Sequence, residues 1–405
     1  MKIMYLTQWF DPEPGVIKGP AFVRQIEAAG HQVTVVTGFP NYPTGKIYPG
    51  YKQALLRREI IGGVHVERIP LYPSHSHSSV GRAINFISFF ASAFVYGLLR
   101  SGKADLIYVY HPPITVGLAA ALFGWVRGKK FVIEIQDLWP DMLSASGMAG
   151  TGRLARILGP VCNFVYARAA HVIVQSEGMR TRLIERGVPP KKLTTIRNPA
   201  DPTALERPQP ANRSDLGFSD RLAILYGGNL GAAQQLATAI RAAKLAEDRG
   251  ARFDLRIMGR GIEADNLKTI SSELASDAVT FRDAVPKEDI TAIFRAADVL
   301  LIQLAPDPLF DITIPSKTQF YLAAGRPILA ALSGETDEIL RESGAAIVVP
   351  PADVEAMADA IVALASMPKD ELAAMGRNGE NYSRDSFSFE KVVEATLAVI
   401  DVAAK

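Results

Sequence analysis

Lys317 lies in the stretch 311–327, DITIPSKTQFYLAAGRP, where its chemistry is easiest to read. A Pro315-Ser316-Lys317 turn runs into a short helical segment. Gly325 suits a left-handed cap for that segment, and Pro327 cannot continue it. A helix start aims N–H groups and the positive end of its dipole at one spot, and Lys317 adds a full charge there. The chemistry this permits is anion binding, most simply of a phosphate. An ordinary αβ corner with a surface lysine would read the same way. His111 is the second candidate. It follows the strand-like run 106–110, precedes Pro112 and Pro113, and aligns in the fold with the Asp-bearing stretch 136–141. Asn41, Tyr42 and Thr44, in the loop FPNYPTG, could contact a ligand, although Pro40 and Pro43 could equally make that loop a rigid turn. No D-x-D pair ends a strand and Cys162 is the only cysteine, so neither a thiolate cluster nor any other metal site is expected.

These residues must be held by strand ends. Apolar runs at 3–7, 33–36, 106–110, 131–135 and 171–175 alternate with helical patterns, the signature of a parallel α/β sheet. A second series follows at 222–226, 253–258, 279–281, 299–304, 328–332 and 346–349. Glycine-bearing segments, Gly227-Gly-Asn-Leu-Gly231 and Gly259-Arg-Gly261, end two of these strands, where open sheets bind ligands. The first loop, 11–19, lacks the G-x-G-x-x-G spacing of a dinucleotide fold. A chain of 405 residues is too long for one core, and the proline-rich stretch 196–210 reads as the connection between two. The expected domains are 1–198 and 199–384, with a helix at 385–405 packing back on the first.

Charge is uneven along the chain. Residues 1–200 carry 23 Lys and Arg against 11 Asp and Glu, although the whole chain is only +2. A basic half suits an anionic partner such as a membrane surface or a polyphosphate, or two lobes that attract each other. No basic motif interleaved with aromatics supports nucleic acid as that partner. Residues 83–99 carry no charge, with Arg82 before them and Arg100 and Lys103 after. They read as a buried helix, or as one that dips an apolar face into a bilayer surface. The N-terminus has no small-residue cleavage site and reads as a core strand, so the expected location is the cytoplasm, peripheral on the inner face of the membrane.

Taken together, FPNYPTGKIYPGY (39–51), DLWPDML (137–143), GGNLGAAQ (227–234), IMGRG (257–261) and IPSKTQFYLAAGRPILA (314–330) resemble the family 4 retaining glycosyltransferases. Within that family the likeness is to the bacterial subgroup that builds surface polysaccharides, including N-acetyl-L-fucosamine and colanic acid fucosyl transferases. The resemblance implies an α/β GT-B fold, two Rossmann-like parallel-sheet domains facing across a cleft. It implies a UDP-linked nucleotide-sugar donor and an undecaprenyl diphosphate-linked saccharide acceptor in O-antigen or related synthesis, with no cofactor or metal. His111 matches the histidine facing the donor sugar, and Val285 the position pairing with the nucleobase. Residues 227–234, including Gly228, Asn229 and Gln234, match the loop under the diphosphate. Gly15 matches the glycine of the acceptor-side loop, with Asn41, Tyr42 and Asp137 on the same side.

The chain also departs from the family pattern. Two glutamates eight apart are replaced by Ile312 and Phe320, while Asp311 and Gln319 keep the spacing shifted by one. The diphosphate-neutralising Arg and Lys are Asn229 and Gln234. Arg260 and Lys317, beside Ser316, are therefore expected to supply the missing charge, and Asp311 to take a sugar hydroxyl or to be a solvated loop acid. Two other readings compete: a sugar-nucleotide 2-epimerase of the same fold, and a sugar-nucleotide-binding subunit without turnover.

Overall fold

The computed structural model describes residues 1–14, 17–74, 79–142, 151–200 and 208–405. The chain divides into two compact units, one of Met1–Arg197 with Glu390–Lys405, the other of Asn198–Phe389. The last helix thus belongs with the first unit.

The first unit is built on an eight-stranded sheet. Its strands are β1 (Lys2–Leu6), β2 (Gln32–Gly38), β3 (Arg57–Ile61), β4 (Val64–Ile69), β5 (Leu106–Tyr110), β6 (Lys130–Glu134), β7 (His171–Val174) and β8 (Leu193–Thr195). They lie in the order β3-β4-β2-β1-β5-β6-β7-β8. All pairings are parallel except β3 with β4. That hairpin escapes the sequence reading because its arms are charged. Gly62 and Gly63, both at positive φ, form the two-residue turn that closes it. The helices are α1 (Pro20–Ala28), α2 (Ser79–Arg100), α3 (Ile114–Arg127), α4 (Thr151–Arg168) and α5 (Glu177–Glu185). β5 is buried along its whole length, as expected of a strand covered on both faces.

The second unit has a six-stranded, wholly parallel sheet. Its strands are β9 (Leu222–Asn229), β10 (Phe253–Arg260), β11 (Val279–Arg282), β12 (Val299–Gln303), β13 (Ile328–Ala331) and β14 (Ala346–Val349), in the order β11-β10-β9-β12-β13-β14. Between and after them run α6 (Ala237–Asp248), α7 (Ala264–Glu273), α8 (Lys287–Ala296), α9 (Pro308–Asp311), α10 (Ser316–Ala324), α11 (Glu335–Ser343), α12 (Val354–Ser366) and α13 (Lys369–Ser386). The chain closes with α14 (Phe389–Ala404). Two apolar layers cover the faces of this sheet. Ile224, Leu255 and Ile257 lie on one side, and Ala223, Leu225 and Met258 on the other.

Strand order reverses beside β1 in the first unit and beside β9 in the second. At such a switch point the two flanking loops diverge and leave room for a ligand at the strands' carboxyl ends. The candidate residues gather at these two places.

Candidate active site

In the second unit β9 and β10 run further than their glycines suggest. Gly228 pairs with Gly259, and Asn229 with Arg260, so both strands extend through the stretch expected to be loop. The pairing depends on bare backbones, because a Cβ on Gly259 would stand 1.7 Å from the Gly228 carbonyl oxygen. Helix α6 accordingly starts at Ala237, after a tight turn at Ala232–Gln234, and not near Gln234.

α10 starts at Ser316, as expected from the Pro-Ser-Lys turn, and ends at Gly325 in the left-handed conformation. Lys317 on its first turn reaches back to the end of β9. The amine donates to the Tyr226 hydroxyl at 2.7 Å and lies 3.9 Å from that ring's centre. It also occupies the space a side chain at Gly228 would take, 2.5 Å from the ideal Cβ. The Tyr226 hydroxyl in turn donates to the Asn229 carbonyl at 2.6 Å. Burial with no acidic partner pushes the Lys317 amine down to about 7. An amine held against a glycine strand end, with no acidic partner among the described residues, can receive an anion, which would restore its charge.

The other donor-side candidates divide. Ser316 is exposed at the helix start. Arg260 is exposed at the end of β10 and forms no ion pair among the described residues. Asn229 donates to the Gln234 side-chain oxygen at 3.2 Å, which also accepts the Gly231 N–H, so these two brace the turn between them. Val285 borders a cavity of about 760 Å³ that is also lined by Arg256, Arg282 and Asp283. Gln319 is not at the site. It is buried, and its amide nitrogen faces the carbonyls of Pro315 at 2.9 Å and Ser316 at 3.2 Å, so it is spent on the first turn of its own helix. Asp311 is partly exposed and accepts the Ser333 hydroxyl at 2.5 Å across from the end of β13. Phe320 packs edge-on against Phe294. The second family glutamate position is therefore given over to the core.

In the first unit, His111 directly follows β5 and is fully buried. Its backbone N–H donates to the Glu134 carbonyl at 3.1 Å, but neither ring nitrogen has a partner among the described residues. Burial pushes the imidazole down to about 3, so it is neutral at physiological pH. A buried ring with two unsatisfied nitrogens calls for a polar partner. Asp137 lies beyond β6, and burial raises its carboxyl above the usual range.

Sequence reasoning missed a buried charge network beside them. Lys18 and Glu134, both wholly inaccessible, form an ion pair at 2.7 Å. The Tyr108 hydroxyl also donates to Glu134, as does the Gln136 amide at 3.0 Å. The available signal was an acid inside the apolar run FVIEI. Glu13 was missed too. Its carboxylate accepts the backbone N–H groups of Asn41 and Tyr42, both at 2.8 Å, and of Phe10 at 3.3 Å. Burial nevertheless pushes it up to about 7. Asn41 is itself buried, its amide donating to the Phe39 carbonyl and its oxygen accepting from Asn85. It therefore holds the loop and does not present itself to a ligand, whereas Tyr42 stays partly open beside Trp9. Gly15 lies outside the described residues. No three His, Cys, Asp or Glu side chains among the described residues gather where they could hold a metal ion.

Comparison with known proteins bears on both units. Residues 21–199 match the model of a glycosyl transferase 4-like domain, and residues 221–367 that of glycosyl transferases group 1. The chain is 27% identical over 389 residues to a protein of Escherichia coli (strain K12) named as a colanic acid biosynthesis glycosyl transferase, WcaI, covering 92% of this chain and 94% of that one. It is 26% identical to a Pseudomonas aeruginosa glycosyltransferase, WbjE, over 72% and 74% of the two chains. Among solved structures, Anabaena Alr3699/HepE in complex with UDP superposes with a TM-score of 0.72 at 14% identity, over 99% of this chain and 100% of that one. WaaG, a glycosyltransferase involved in lipopolysaccharide biosynthesis, gives 0.68 at 15%, over 98% and 99%. With a glycosyl transferase 4-like model matching the first unit, a glycosyl transferases group 1 model matching the second and the GT-B fold along the whole chain, this protein is an enzyme, a glycosyltransferase.

Proposed function

We propose that the enzyme transfers a sugar, with retention of configuration, from a nucleoside diphosphate to a lipid-linked glycan in bacterial surface polysaccharide synthesis. The observation that carries this is Lys317, whose amine is held over the Gly228 strand end without a counter-ion among the described residues. As the glycosidic bond breaks, negative charge grows on the leaving diphosphate. Lys317, Arg260 and the N–H groups at the start of α10 would neutralise it without a metal. Structural neighbours bound to UDP and UDP-glucose support UDP as the carrier. The names of the colanic acid and lipopolysaccharide enzymes support a polysaccharide or lipid-linked glycan acceptor. The sugar proposed is an N-acetylated or deoxy hexose such as N-acetyl-L-fucosamine, and the acceptor an undecaprenyl diphosphate saccharide at the inner face of the membrane. A hydroxyl of the donor sugar is the partner assigned to the empty ring nitrogens of His111. The acceptor hydroxyl attacks from the leaving-group side and gives its proton to the departing phosphate, so no protein nucleophile is assigned.

A thermal-shift panel of nucleoside diphosphates and UDP- or GDP-sugars tests the donor. A rise in melting temperature with uridine compounds alone is expected, since binding to the native state stabilises it. No response to any of them would overturn the donor assignment. Chelation with EDTA is expected to leave transfer unchanged, and strict dependence on a divalent ion would refute the charge scheme.

A further inference from the structure

The outer face of helices α2, α3 and α4 has no role in the transfer chemistry. The inner side of α2 is committed, with Asn85, Phe89 and Ala93 buried at helical spacing. Its outer side carries Val80, Ile84, Ile87, Val95 and Leu99, all exposed, at steps that place them along one stripe. At a rise of 1.5 Å per residue the stripe is about 29 Å long. α3 packs between α2 and α4 and extends the apolar surface with Trp125 and Val126, which are 64% and 63% exposed. Ile157 and Phe164 of α4 are exposed as well. A monomer rarely shows water so many large apolar groups together.

Charge selects the occupant. The three helices contain no Asp or Glu. Arg100, Lys103 and Arg127 stand exposed at one end of the face, and the Arg168 guanidinium lies over the Trp125 ring, 5.8 Å from its centre. Such a face repels a second copy of itself, and it complements a surface that is apolar beneath and anionic at its edge. The segment Val80–Lys103 is long and apolar enough to cross a membrane, but its buried inner side binds it to the sheet unit. It can therefore lie on a bilayer without spanning it.

We propose that the α2–α3–α4 face docks on the surface of an anionic phospholipid bilayer, the stripe entering the interface and the arginines and Lys103 meeting lipid phosphates. The face is also tied to the ligand rim. Asn85 accepts from the Gln8 amide at 2.6 Å and donates to the Tyr72 carbonyl at 2.6 Å and to Asn41 at 3.4 Å. Trp9 packs between Phe86 and Tyr42. Docking thereby fixes the height of the loops after β1 and β2 above the lipid. The usefulness of this rests on the lipid-linked acceptor proposed above, but the docking itself does not.

The test is flotation of the full-length protein with vesicles of phosphatidylglycerol and phosphatidylethanolamine, or of phosphatidylcholine alone, without donor or acceptor. The wild type is expected to float with the anionic vesicles. Ile87→Asp with Val95→Asp should cut that binding at least about tenfold, because charged groups replace buried apolar ones. Arg100→Glu with Lys103→Glu should cut it about tenfold on anionic vesicles and leave phosphatidylcholine unchanged. Unaltered melting curves identify variants that remain folded, and transfer to a water-soluble acceptor reads catalysis separately. Failure of the wild type to float, or equal flotation of all variants, would overturn the proposal. So would a concentration-dependent dimer abolished by Ile87→Asp, which would make the face a self-interface.

Discussion

The two strand-end rims handle charge in opposite ways. In the first unit Lys18, Glu134, Glu13 and Arg68 are buried and matched to one another or to backbone groups. In the second, Lys317 has only a tyrosine hydroxyl and Arg260 no ion pair among the described residues. The first arrangement makes a platform of loops whose buried charges are already matched, leaving the His111 ring as its open polar group. The second leaves the Lys317 amine and the Arg260 guanidinium without an acidic partner among the described residues, as the proposed anion site requires. Matched and unmatched charge are thus separated between the units.

The largest expected effect tests the platform. Lys18→Met strands Glu134 in the interior, and a broken buried ion pair costs about 3–5 kcal/mol. Urea unfolding should show this loss in the first unit, and adding Glu134→Gln should recover part of it. Next, Lys317→Ala should lower turnover about a hundred- to a thousandfold with the far-ultraviolet spectrum unchanged, the magnitude of losing one donor to a developing anion. Wild-type turnover in that variant would erase the contrast between the rims. Glu13 offers a pH test of similar size. Its folded value of about 7 lies above its ordinary 4.5, so the native state holds more protons between the two. Stability should fall by about 3 kcal/mol as pH rises from 4.5 to 7 and stay level above that. Glu13→Gln should flatten the curve. The smallest effect belongs to Gln319→Ala, expected to cost about 1 kcal/mol through the lost helix-turn hydrogen bonds without altering nucleotide affinity. A large loss of affinity would return Gln319 to the site.

Local pattern carried the reading of the architecture. The β-α alternation, the Pro-Ser-Lys helix start and the Gly325 cap are written in short stretches whose backbone preferences agree with the final fold. The site's chemistry is less local. Lys317 meets Tyr226 across 91 positions of sequence, and in the strand pattern Tyr226 reads only as an apolar residue. The β9–β10 extension depends on two glycine backbones meeting across strands, which neither glycine reveals alone. Gln319 keeps a family-like spacing but folds back on its own helix, because two carbonyls of the first turn lie within its reach. Asn41 likewise is drawn inward by Glu13 and Asn85, both distant in sequence.

The depressed value of the Lys317 amine has a calorimetric consequence. Near pH 8 most molecules carry this amine uncharged, and a bound diphosphate would restore its charge. Loading of the donor then draws close to one hydrogen ion from the medium. Heats of binding should therefore vary with the ionisation enthalpy of the buffer, and affinity should weaken as alkalinity increases past neutrality.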